Sequence, residues 1–416
     1  MNSLREDAQA ILQEAIEAVQ PEAAVIRALN RHEIQGEAVI IAIGKAAWRM
    51  AKAAMDVLGD KVKSGIVITK YGHALGDIPG LAIMEAGHPV PDENGVHAAR
   101  EALRLVSGLK KEQTVVFLVS GGGSALFELP LEGITLSDIA SITKQLLACG
   151  ANIVEINTIR KHLSRVKGGR FALACAPAHV LSIVLSDVLG DPLDSIASGP
   201  AYPDGSTVKD ALEIVKRYKL SVSDSVLEML AQETPKTLKN VTTEITGNVN
   251  ELCRGAMNAA EARGYETLLL TTTLDIEARE AGGFLAAIAR QIQKTGRPLK
   301  PPCAVILGGE TVVHLRGNGK GGRNQELAVA AARGIDGLDN VLVLSAGSDG
   351  TDGPTDAAGG MVTGEFASTC REMGIDLDAH LEDNNSYHVL KAAGGLVVTG
   401  PTGTNVNDLM MVLCRQ

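Results

Sequence analysis

A glycine-rich loop with three cations precedes a helix-like run in the second half of the chain. It lies in LRGNGKGGRNQE, residues 315–326, and its cations are Arg316, Lys320 and Arg323. A helix start presents unpaired N–H groups and a partial positive charge, so cations are unfavourable there unless a ligand supplies negative charge. The loop therefore predicts an anion site at which Arg323 acts together with the glycines Gly319, Gly321 and Gly322. A flexible, solvated surface loop is the alternative.

Lys45 occupies a comparable position in the first half of the chain. It follows the apolar run 38–43 and one glycine, and it opens a helix-like run in AIGKAAW, residues 42–48. A single lysine at a helix start commonly just extends into solvent. Because two independent helix starts carry a cation, we interpret Lys45 and Arg323 as catalytic residues that contact a bound anion.

The segment SGGGS follows an apolar run and is a candidate phosphate cradle. It comprises Ser120, Gly121, Gly122, Gly123 and Ser124. Successive glycines allow several backbone N–H groups to converge on a phosphate, and a hydroxyl stands at each end. The segment lacks the spacing of a P-loop, and a tight turn between a strand and a helix is the alternative.

Cationic and amide side chains are candidates for contacts to an acidic substrate. In NTIRKHLSRVKGGR, residues 157–170, most cations are expected on a solvated helix face, but Arg160 and Lys161 could reach a carboxylate. Asn407 lies in a glycine-bearing loop near the end of the chain and is a further candidate. Ordinary turn chemistry is its alternative role.

Carboxylates near strand ends are candidates for a magnesium site and a general base. Asp187 follows the apolar run 180–185, whereas Asp191 and Asp194 in the same segment are more typical of turns. Mg²⁺ is held by one or two carboxylates together with phosphate oxygens and water. We expect Asp187, Glu310 and Asp349 to bind the metal, and Asp187 or Asp349 to accept a proton from a substrate hydroxyl.

These groups together predict phosphoryl transfer, which depends mostly on positioning and on electrostatic stabilisation. A dehydrogenase is the second interpretation, because Gly317, Gly319 and Gly322 spell the dinucleotide fingerprint G-x-G-x-x-G. The acidic residue that this fingerprint needs about 20 positions later is not clearly placed. A non-catalytic binding protein is disfavoured because both magnesium-type and phosphate-type groups are present.

The composition limits the classes of partner. A net charge of −10 argues against nucleic acid and against anionic membranes as the main partner. The cysteines are scattered singly, and no apolar stretch reaches the ~18 residues of a membrane span, so we expect a cytoplasmic protein. A homo-oligomer stays open.

Apolar runs alternate with amphipathic runs, which is the pattern of parallel α/β sheets. Strands are predicted at 38–43, 65–69, 114–119, 180–185, 244–247, 267–271, 303–307, 311–315, 341–344 and 408–413. The breakers in ETPKTLKN, residues 233–240, favour two domains, 1–238 and 239–416. Ligands bind beyond the carboxyl ends of parallel strands. The sequence therefore predicts an α/β fold of two Rossmann-like domains with an active-site cleft between them.

Several long segments resemble, in order, the signature segments of the class II glycerate kinases. They are GKAAWRMAKA, AGHPVPDENG, SGGGSAL, NTIRKHLSRVKGGR, LSDVLGDPLDSIASGP, GGETVVHLRGNGKGGRNQE, SAGSDGTDGPTDAAGG and TGPTGTNVNDLMM. The resemblance runs from about Gly44 nearly to the end of the chain. It implies an N-terminal domain of the glycerate kinase type and a C-terminal MOFRL domain.

The resemblance implies phosphorylation of D-glycerate by ATP with Mg²⁺, usually at the 2-hydroxyl, to give 2-phosphoglycerate. The family's lysine after the first strand and its arginine in the glycine-rich loop match Lys45 and Arg323. The remaining roles are inferences: the SGGGS segment for ATP phosphates, Asp187 for magnesium and Arg160 for the glycerate carboxylate. Similar sequences also carry the name hydroxypyruvate reductase, so an NAD(P)H-dependent reductase is the alternative.

Overall fold

The computed structural model describes residues 3–188, 190 and 192–416, so Asp191 lies outside the described residues. The contacts divide the chain into two compact units. We call Pro21–Ser186 with Asp191–Thr246 the first unit. We call Met1–Gln20 with Asp187–Gly190 and Gly247–Gln416 the second unit.

The first unit contains a six-stranded sheet in which every neighbouring pair is parallel. Its strands are β1 (Ala38–Ile43), β2 (Val62–Lys70), β3 (Ala82–Ala86), β4 (Thr114–Val119), β5 (His179–Val184) and β6 (Val241–Ile245). Their order is β3-β2-β1-β4-β5-β6, the order of dinucleotide-binding α/β folds. The direction of chain progression reverses between β1 and β4, and this reversal is where such sheets bind ligands.

The second unit contains a six-stranded mixed sheet. Its strands are β7 (Glu266–Leu274), β8 (Cys303–Gly309), β9 (Val341–Gly347), β10 (Gly359–Thr363), β11 (Leu396–Val397) and β12 (Asp408–Cys414). The last strand, β12, lies between β8 and β9 and is antiparallel to both. The predicted strand 311–315 does not form. In this segment, Val312 makes only an isolated bridge with Glu277.

The helices of the described chain fill the segments between the strands. In chain order they are α1 (Leu4–Ala18), α2 (Pro21–Arg31), α3 (Ala47–Leu58), α4 (Glu93–Val106), α5 (Gly123–Leu126), α6 (Leu136–Ala148), α7 (Ile153–Leu163), α8 (Arg170–Ala174), α9 (Val208–Arg217), α10 (Asp224–Leu230), α11 (Val249–Glu261), α12 (Ala278–Thr295), α13 (Arg323–Gly334), α14 (Phe366–Glu372), α15 (Leu377–Glu382) and α16 (Ser386–Ala392).

The central strands of each sheet are buried on both faces. Along β1, Val39, Ile41 and Ile43 belong to one apolar cluster, whereas Ile40 and Ala42 belong to the cluster on the opposite face. Alternate side chains of a strand point to opposite faces, so a continuously apolar strand is suited to a sheet with helices on both sides. The predicted α/β class with two domains is confirmed.

The boundary between the units differs from the predicted boundary at 238/239. Strand β6 pairs with β5, so residues 241–245 complete the first sheet. Helix α1 packs in the core of the second unit, where Ile11 and Leu12 share a cluster with Leu252 of α11. The segment 233–240 is therefore the connection into the last strand of the first sheet. Among the described residues, no helix is long and apolar enough to cross a membrane.

Candidate active site

Lys45 stands at the carboxyl end of β1, next to the point where the strand order reverses. Gly44 adopts φ +111°, and a methyl group at this position would clash with Ser120. Ser120 accepts a hydrogen bond from the Ala46 N–H (3.1 Å), and the Lys45 N–H donates to the Gly121 carbonyl (2.9 Å). The turn after β1 and the turn after β4 are therefore joined by hydrogen bonds. Their backbones approach so closely that only glycine fits at position 44.

The Lys45 side chain is exposed, and helix α3 begins beside it without a side-chain cap. No described carboxylate forms an ion pair with its ammonium group. By contrast, α6, α7 and α9 each begin with a capping box that includes an acidic residue. The positive end of α3 thus lacks the compensation that other helices of this unit have.

The SGGGS turn is held by the half-buried Arg160 and the buried Lys167. The carbonyl of Ser124 accepts hydrogen bonds from Arg160 (3.0 Å) and Lys167 (2.7 Å). Lys167 is also paired with Glu128 at 3.5 Å, and both side chains are fully buried. Burial lowers the pKa of Lys167 to about 8 although Glu128 opposes the change. The hydroxyl of Ser124 is within hydrogen-bond distance of Ser198 (2.7 Å).

The two predicted substrate cations of α7 have different surroundings. Arg160 is half-buried against the SGGGS turn, and its buried Nε has no hydrogen-bond partner among the described atoms. Lys161 is buried and pairs with Asp194 and Asp204, each at 3.3 Å. The Lys161 ammonium group is therefore paired with carboxylates of the first unit, whereas the sequence predicts its contact with a substrate carboxylate.

Arg323 is the first residue of α13 in the second unit, and carboxylates surround it. Its Nε and Nη2 donate to the two oxygens of Asp408 (2.6 and 3.0 Å), and its Nη1 donates to Glu310 (2.9 Å). Burial alone would lower the pKa of Arg323, but the hydrogen bonds to Asp408 together with the negative charges of Asp408, Glu310 and Asp352 raise it. The expectation that Arg323 lacks compensation within the protein is therefore corrected, because Asp408 and Glu310 supply the negative charge.

The start of α13 is also occupied by a carboxylate of the protein. Asp352 accepts hydrogen bonds from the N–H groups of Asn324 (3.2 Å) and Gln325 (2.9 Å). Burial raises the pKa of Asp352 to about 6, although these donors oppose the shift. These two N–H groups of the helix start therefore already have an anionic partner.

The glycine-rich loop before α13 is bound to the segment Asp383–Ser386. Asn384 accepts from the N–H groups of Arg316 and Gly317, and Asp383 accepts from those of Asn318 and Gly319. Methyl groups at Gly321 and Gly322 would clash with the side chains of Ser386 and Asp352. The loop therefore needs glycines at 321 and 322 for its internal packing, and phosphate binding by Gly319, Gly321 and Gly322 stays a prediction.

Several of the predicted site residues meet at the end of β8 and the start of β12. Asn407 donates from Nδ2 to the Asp187 carbonyl (3.1 Å) and to Glu310 (3.2 Å). Asn407 has a left-handed backbone, φ +67°, which asparagine tolerates better than most residues. Asp187, Glu310, Asn407 and Arg323 therefore form one group in the second unit.

Asp349 lies in the loop after β9 and faces the same strand end. A methyl group at Gly347 would lie 3.3 Å from Asp349 Oδ1 and 3.5 Å from Asp408 Oδ1. Asp349 accepts a hydrogen bond from the Thr351 N–H (2.9 Å). No three His, Cys, Asp or Glu side chains of the described residues are grouped as metal ligands. One or two carboxylates suffice for Mg²⁺ when phosphate oxygens and water complete its shell.

Comparison with known proteins identifies the family. Residues 7–231 match a domain of unknown function (DUF4147), and residues 303–408 match the MOFRL family. A D-glycerate 2-kinase of Thermotoga maritima is 54% identical, with 99% of this chain and 98% of that protein covered. The chain belongs to the glycerate 2-kinase family.

Further relatives are similar to this chain over nearly its full length. A glycerate 2-kinase of Pyrococcus horikoshii is 42% identical, with 99% of this chain and 97% of that protein covered. The crystal structure of glycerate kinase from Thermotoga maritima has a TM-score of 0.96 at 54% identity and covers 99% of both chains. A putative hydroxypyruvate reductase of Agrobacterium vitis is 39% identical, with 99% and 94% covered. The resemblance to glycerate kinases with a MOFRL domain is confirmed.

Asp408, Asp352 and His88 lie close to Arg323, Gly322 and Gly122, but they are not among the site residues predicted from the sequence. Asp408 opens the predicted apolar strand 408–413, and Asp352 lies in the loop after β9. His88 lies beside Gly122 and follows β3, a strand that is not among those predicted from the sequence. A carboxylate that opens an otherwise apolar strand, as in DLMMVLC, is a signal that could have identified Asp408.

Proposed function

We propose that this chain transfers the γ-phosphoryl group of ATP to D-glycerate in the presence of Mg²⁺ and produces 2-phosphoglycerate. The observation that carries the proposal is the uncompensated Lys45 at the strand-order reversal of a nucleotide-binding type of sheet. Family membership supports the choice of substrate, since the D-glycerate 2-kinase of Thermotoga maritima is 54% identical.

In the first unit, we propose that Lys45 and the SGGGS turn bind phosphate oxygens. The Lys45 ammonium is exposed, and no described acid competes for it. The turn after β4 is held rigidly through the Ser124 carbonyl, so its N–H groups keep a fixed orientation. Fixed donors stabilise the charge that develops during phosphoryl transfer without reorganising. In this proposal, Arg160 holds the turn through the Ser124 carbonyl and places a positive charge near a substrate carboxylate.

In the second unit, we propose that Arg323, Asn407 and the nearby carboxylates act on the reacting groups. A guanidinium has five N–H groups, and three of those of Arg323 are used by Asp408 and Glu310. The other two have no acceptor among the described residues and are available to an oxyanion. Asp187 or Asp349 accepts the proton of the substrate hydroxyl.

The carboxylate oxygens of Asp187, Glu310 and Asp349 fit a hard cation such as Mg²⁺. We propose that one or two of them hold the ion. When bound, Mg²⁺ would neutralise charge on the phosphate oxygens. Asn407 orients this group, because its Nδ2 joins the Asp187 carbonyl to the Glu310 carboxylate.

A reductase is the second candidate, because two relatives at 39% and 40% identity carry the name putative hydroxypyruvate reductase. The G-x-G-x-x-G at 317–322 does not support it. In a dinucleotide fold this motif follows a strand and opens a helix whose start binds pyrophosphate. Here no strand forms at 311–315, the loop N–H groups bind Asp383 and Asn384, and Asp352 occupies the helix start.

One experiment separates the two activities. The protein is incubated with D-glycerate, ATP and Mg²⁺, and products are identified by phosphorus NMR. In parallel, hydroxypyruvate and a reduced nicotinamide cofactor are supplied, and cofactor oxidation is followed by absorbance. We expect ADP and 2-phosphoglycerate in the first reaction and no oxidation in the second. Cofactor oxidation without phosphoglycerate would refute the proposal in favour of the reductase.

Variants with matched controls test the two cations. We expect Lys45→Ala and Arg323→Ala to lower turnover at least 100-fold while the fold is kept, because removal of one well-placed donor costs about 10²–10³ in rate. Lys52→Ala on α3 and Arg333→Ala on α13 are the controls, since both residues form ion pairs at the surface. Wild-type turnover in Lys45→Ala or Arg323→Ala would remove that residue from the mechanism.

A further inference from the structure

His88 of the first unit lies close to Lys45 beside Gly122 and has no role in the proposed reaction so far. Strands β3, β2, β1 and β4 are neighbours in the sheet. Lys70 ends β2, Lys45 follows β1, Gly122 follows β4, and His88 comes two residues after the end of β3. All four residues therefore stand at the carboxyl edge of the sheet, because parallel strands end on the same side.

His88 and Lys45 flank Gly122 of the SGGGS turn at contact distance. A methyl group at Gly122 would lie 3.0 Å from Cδ2 and 3.1 Å from Nε2 of His88, and 3.4 Å from Cγ of Lys45. Gly122 has φ +85°, so a side chain is doubly unfavourable there. The imidazole edge that carries Nε2 thus points at the turn that we propose to bind phosphate.

The charges that face His88 are mainly positive. Burial lowers the pKa of His88, and Lys45, Lys70 and His73 lower it further. His73 also contacts the Lys45 carbonyl through Nδ1 (3.2 Å).

The acids Glu85 and Asp92 accept hydrogen bonds from groups other than His88. Glu85 accepts from the N–H groups of His73 and Ala74 (3.1 Å each). Asp92 accepts from the Tyr71 hydroxyl (2.6 Å) and from the Gly95 N–H (2.9 Å). None of the described acids forms an ion pair with His88. The lowered pKa of His88 favours the neutral imidazole, and a bound negative charge would favour the imidazolium.

We propose that His88 is an additional ligand-binding residue that contacts a substrate oxyanion beside Gly122 and takes up a proton from solvent on binding. The inference rests on the proposed function, which supplies two sources of an oxyanion, the nucleotide phosphates and the glycerate carboxylate. The bound anion stabilises the imidazolium, so the pKa of His88 rises on binding. Affinity for that ligand consequently increases as the pH falls through the titration range of His88.

Proton uptake can be counted by isothermal titration calorimetry of the full chain in two buffers of different ionisation enthalpy near pH 7. ADP, D-glycerate and inorganic pyrophosphate are titrated separately, so that no turnover occurs. We expect the wild type to take up as much as one proton more than His88→Gln with pyrophosphate and with whichever substrate supplies the oxyanion. His88→Gln should lose this uptake and bind that ligand about 10- to 100-fold more weakly, as for one hydrogen bond to a charged group.

Two further variants make the result specific. His97→Gln makes the same substitution at an exposed position of α4 and should behave as the wild type. His88→Lys places a permanent cation at the site, so it should keep affinity within a few-fold while losing the proton uptake. This pair of properties is not expected if the imidazole only packs against the glycine turn.

The outcomes separate the inference from the proposed function. Equal proton exchange in the wild type and in His88→Gln with every ligand would overturn the role of His88, because protons released by the ligand itself are the same in both proteins. Equal loss of affinity in His88→Gln and His88→Lys would also overturn it, because a charge would then not restore binding. If pyrophosphate binds with His88-dependent uptake but ADP and D-glycerate do not bind, His88 is an oxyanion-binding residue beside Gly122, and the proposal that the oxyanion comes from the kinase substrates fails.

Discussion

Replacement of Asp408 by asparagine removes the charge that holds Arg323 and keeps the size of the side chain. Asp408 is fully buried and receives two hydrogen bonds from the guanidinium, at 2.6 and 3.0 Å. Asparagine offers one carbonyl oxygen and turns an NH₂ group towards the other donor, so at least one charge-assisted hydrogen bond is lost. We expect Arg323 to leave its present orientation.

The burial of the pair determines the size of the effect. Removal of one partner of a fully buried ion pair costs ~3–5 kcal/mol. Arg323 is 34% exposed and keeps Glu310 at 2.9 Å, so water and Glu310 compensate part of the loss. We expect the free energy of unfolding to fall by about 2 kcal/mol, the value of one hydrogen bond to a charged group. For a unit of this size, the melting temperature falls by roughly 4–8 °C.

Helix α13 supplies a matched control at its other end. Arg333 pairs with Asp378 at 2.9 Å, but the two side chains are 54% and 69% exposed. Asp378→Asn breaks an ion pair of the same chemistry in water, where such pairs contribute at most about 1 kcal/mol. Urea midpoints and phosphorylation rates are measured for the wild type and for both variants. Turnover should fall only in Asp408→Asn.

Two results would refute this reasoning. Equal stability and wild-type turnover in both variants would mean that Asp408 does not hold Arg323. A loss of stability in Asp408→Asn with unchanged turnover would mean that the orientation of Arg323 is irrelevant to the reaction.

Three other substitutions test other contacts. The pKa of Asp352 is raised by burial from 3.8 to about 6, so the folded state binds this proton more tightly than the unfolded chain and stability falls as the pH rises across that range. Asp352→Asn should flatten this part of the urea-unfolding profile, and an unchanged slope would contradict it. Lys167→Met leaves the buried Glu128 carboxylate unpaired and should cost ~3–5 kcal/mol in thermal melts, most of which Glu128→Leu restores. If the double variant does not melt at a higher temperature than Lys167→Met, the unpaired Glu128 carboxylate is not the cause of the lost stability. Gly44→Ala forces a methyl group against Ser120 and should lower turnover more than 10-fold with little change in circular dichroism, whereas unchanged turnover would separate this contact from the position of Lys45.

The architecture of the first unit was largely accessible from sequence. Strands β1, β4 and β5 are apolar runs followed by glycine or turn residues, and local pattern alone indicates them. Lys45 follows β1 and lies at the strand-order reversal, as a site at strand ends requires. Lys161 could not be placed from sequence, because its partner Asp204 is 43 residues away and only tertiary contacts bring the two together.

In the second unit, local pattern was a weaker guide. The β-branched run 311–315 has the composition of a strand but finds no neighbouring strand to pair with beyond one bridge. Strand β10 was missed because its first two residues are glycines, which are poor strand formers but fit against Ser345 and Leu390. The start of α13 at Arg323 agrees with the predicted helix start, yet the carboxylate that binds this arginine is 85 residues further on.

A cation at a helix start needs negative charge nearby, and the two units meet this need differently. In the second unit, Asp408 and Glu310 supply it, so the guanidinium is held before any ligand arrives. In the first unit, none of the described acids pairs with Lys45, so solution anions or the substrate must supply the charge. Salt screens exposed charges more than buried ones. Anion binding at Lys45 should therefore weaken with ionic strength, while the ion pairs of Arg323 should persist.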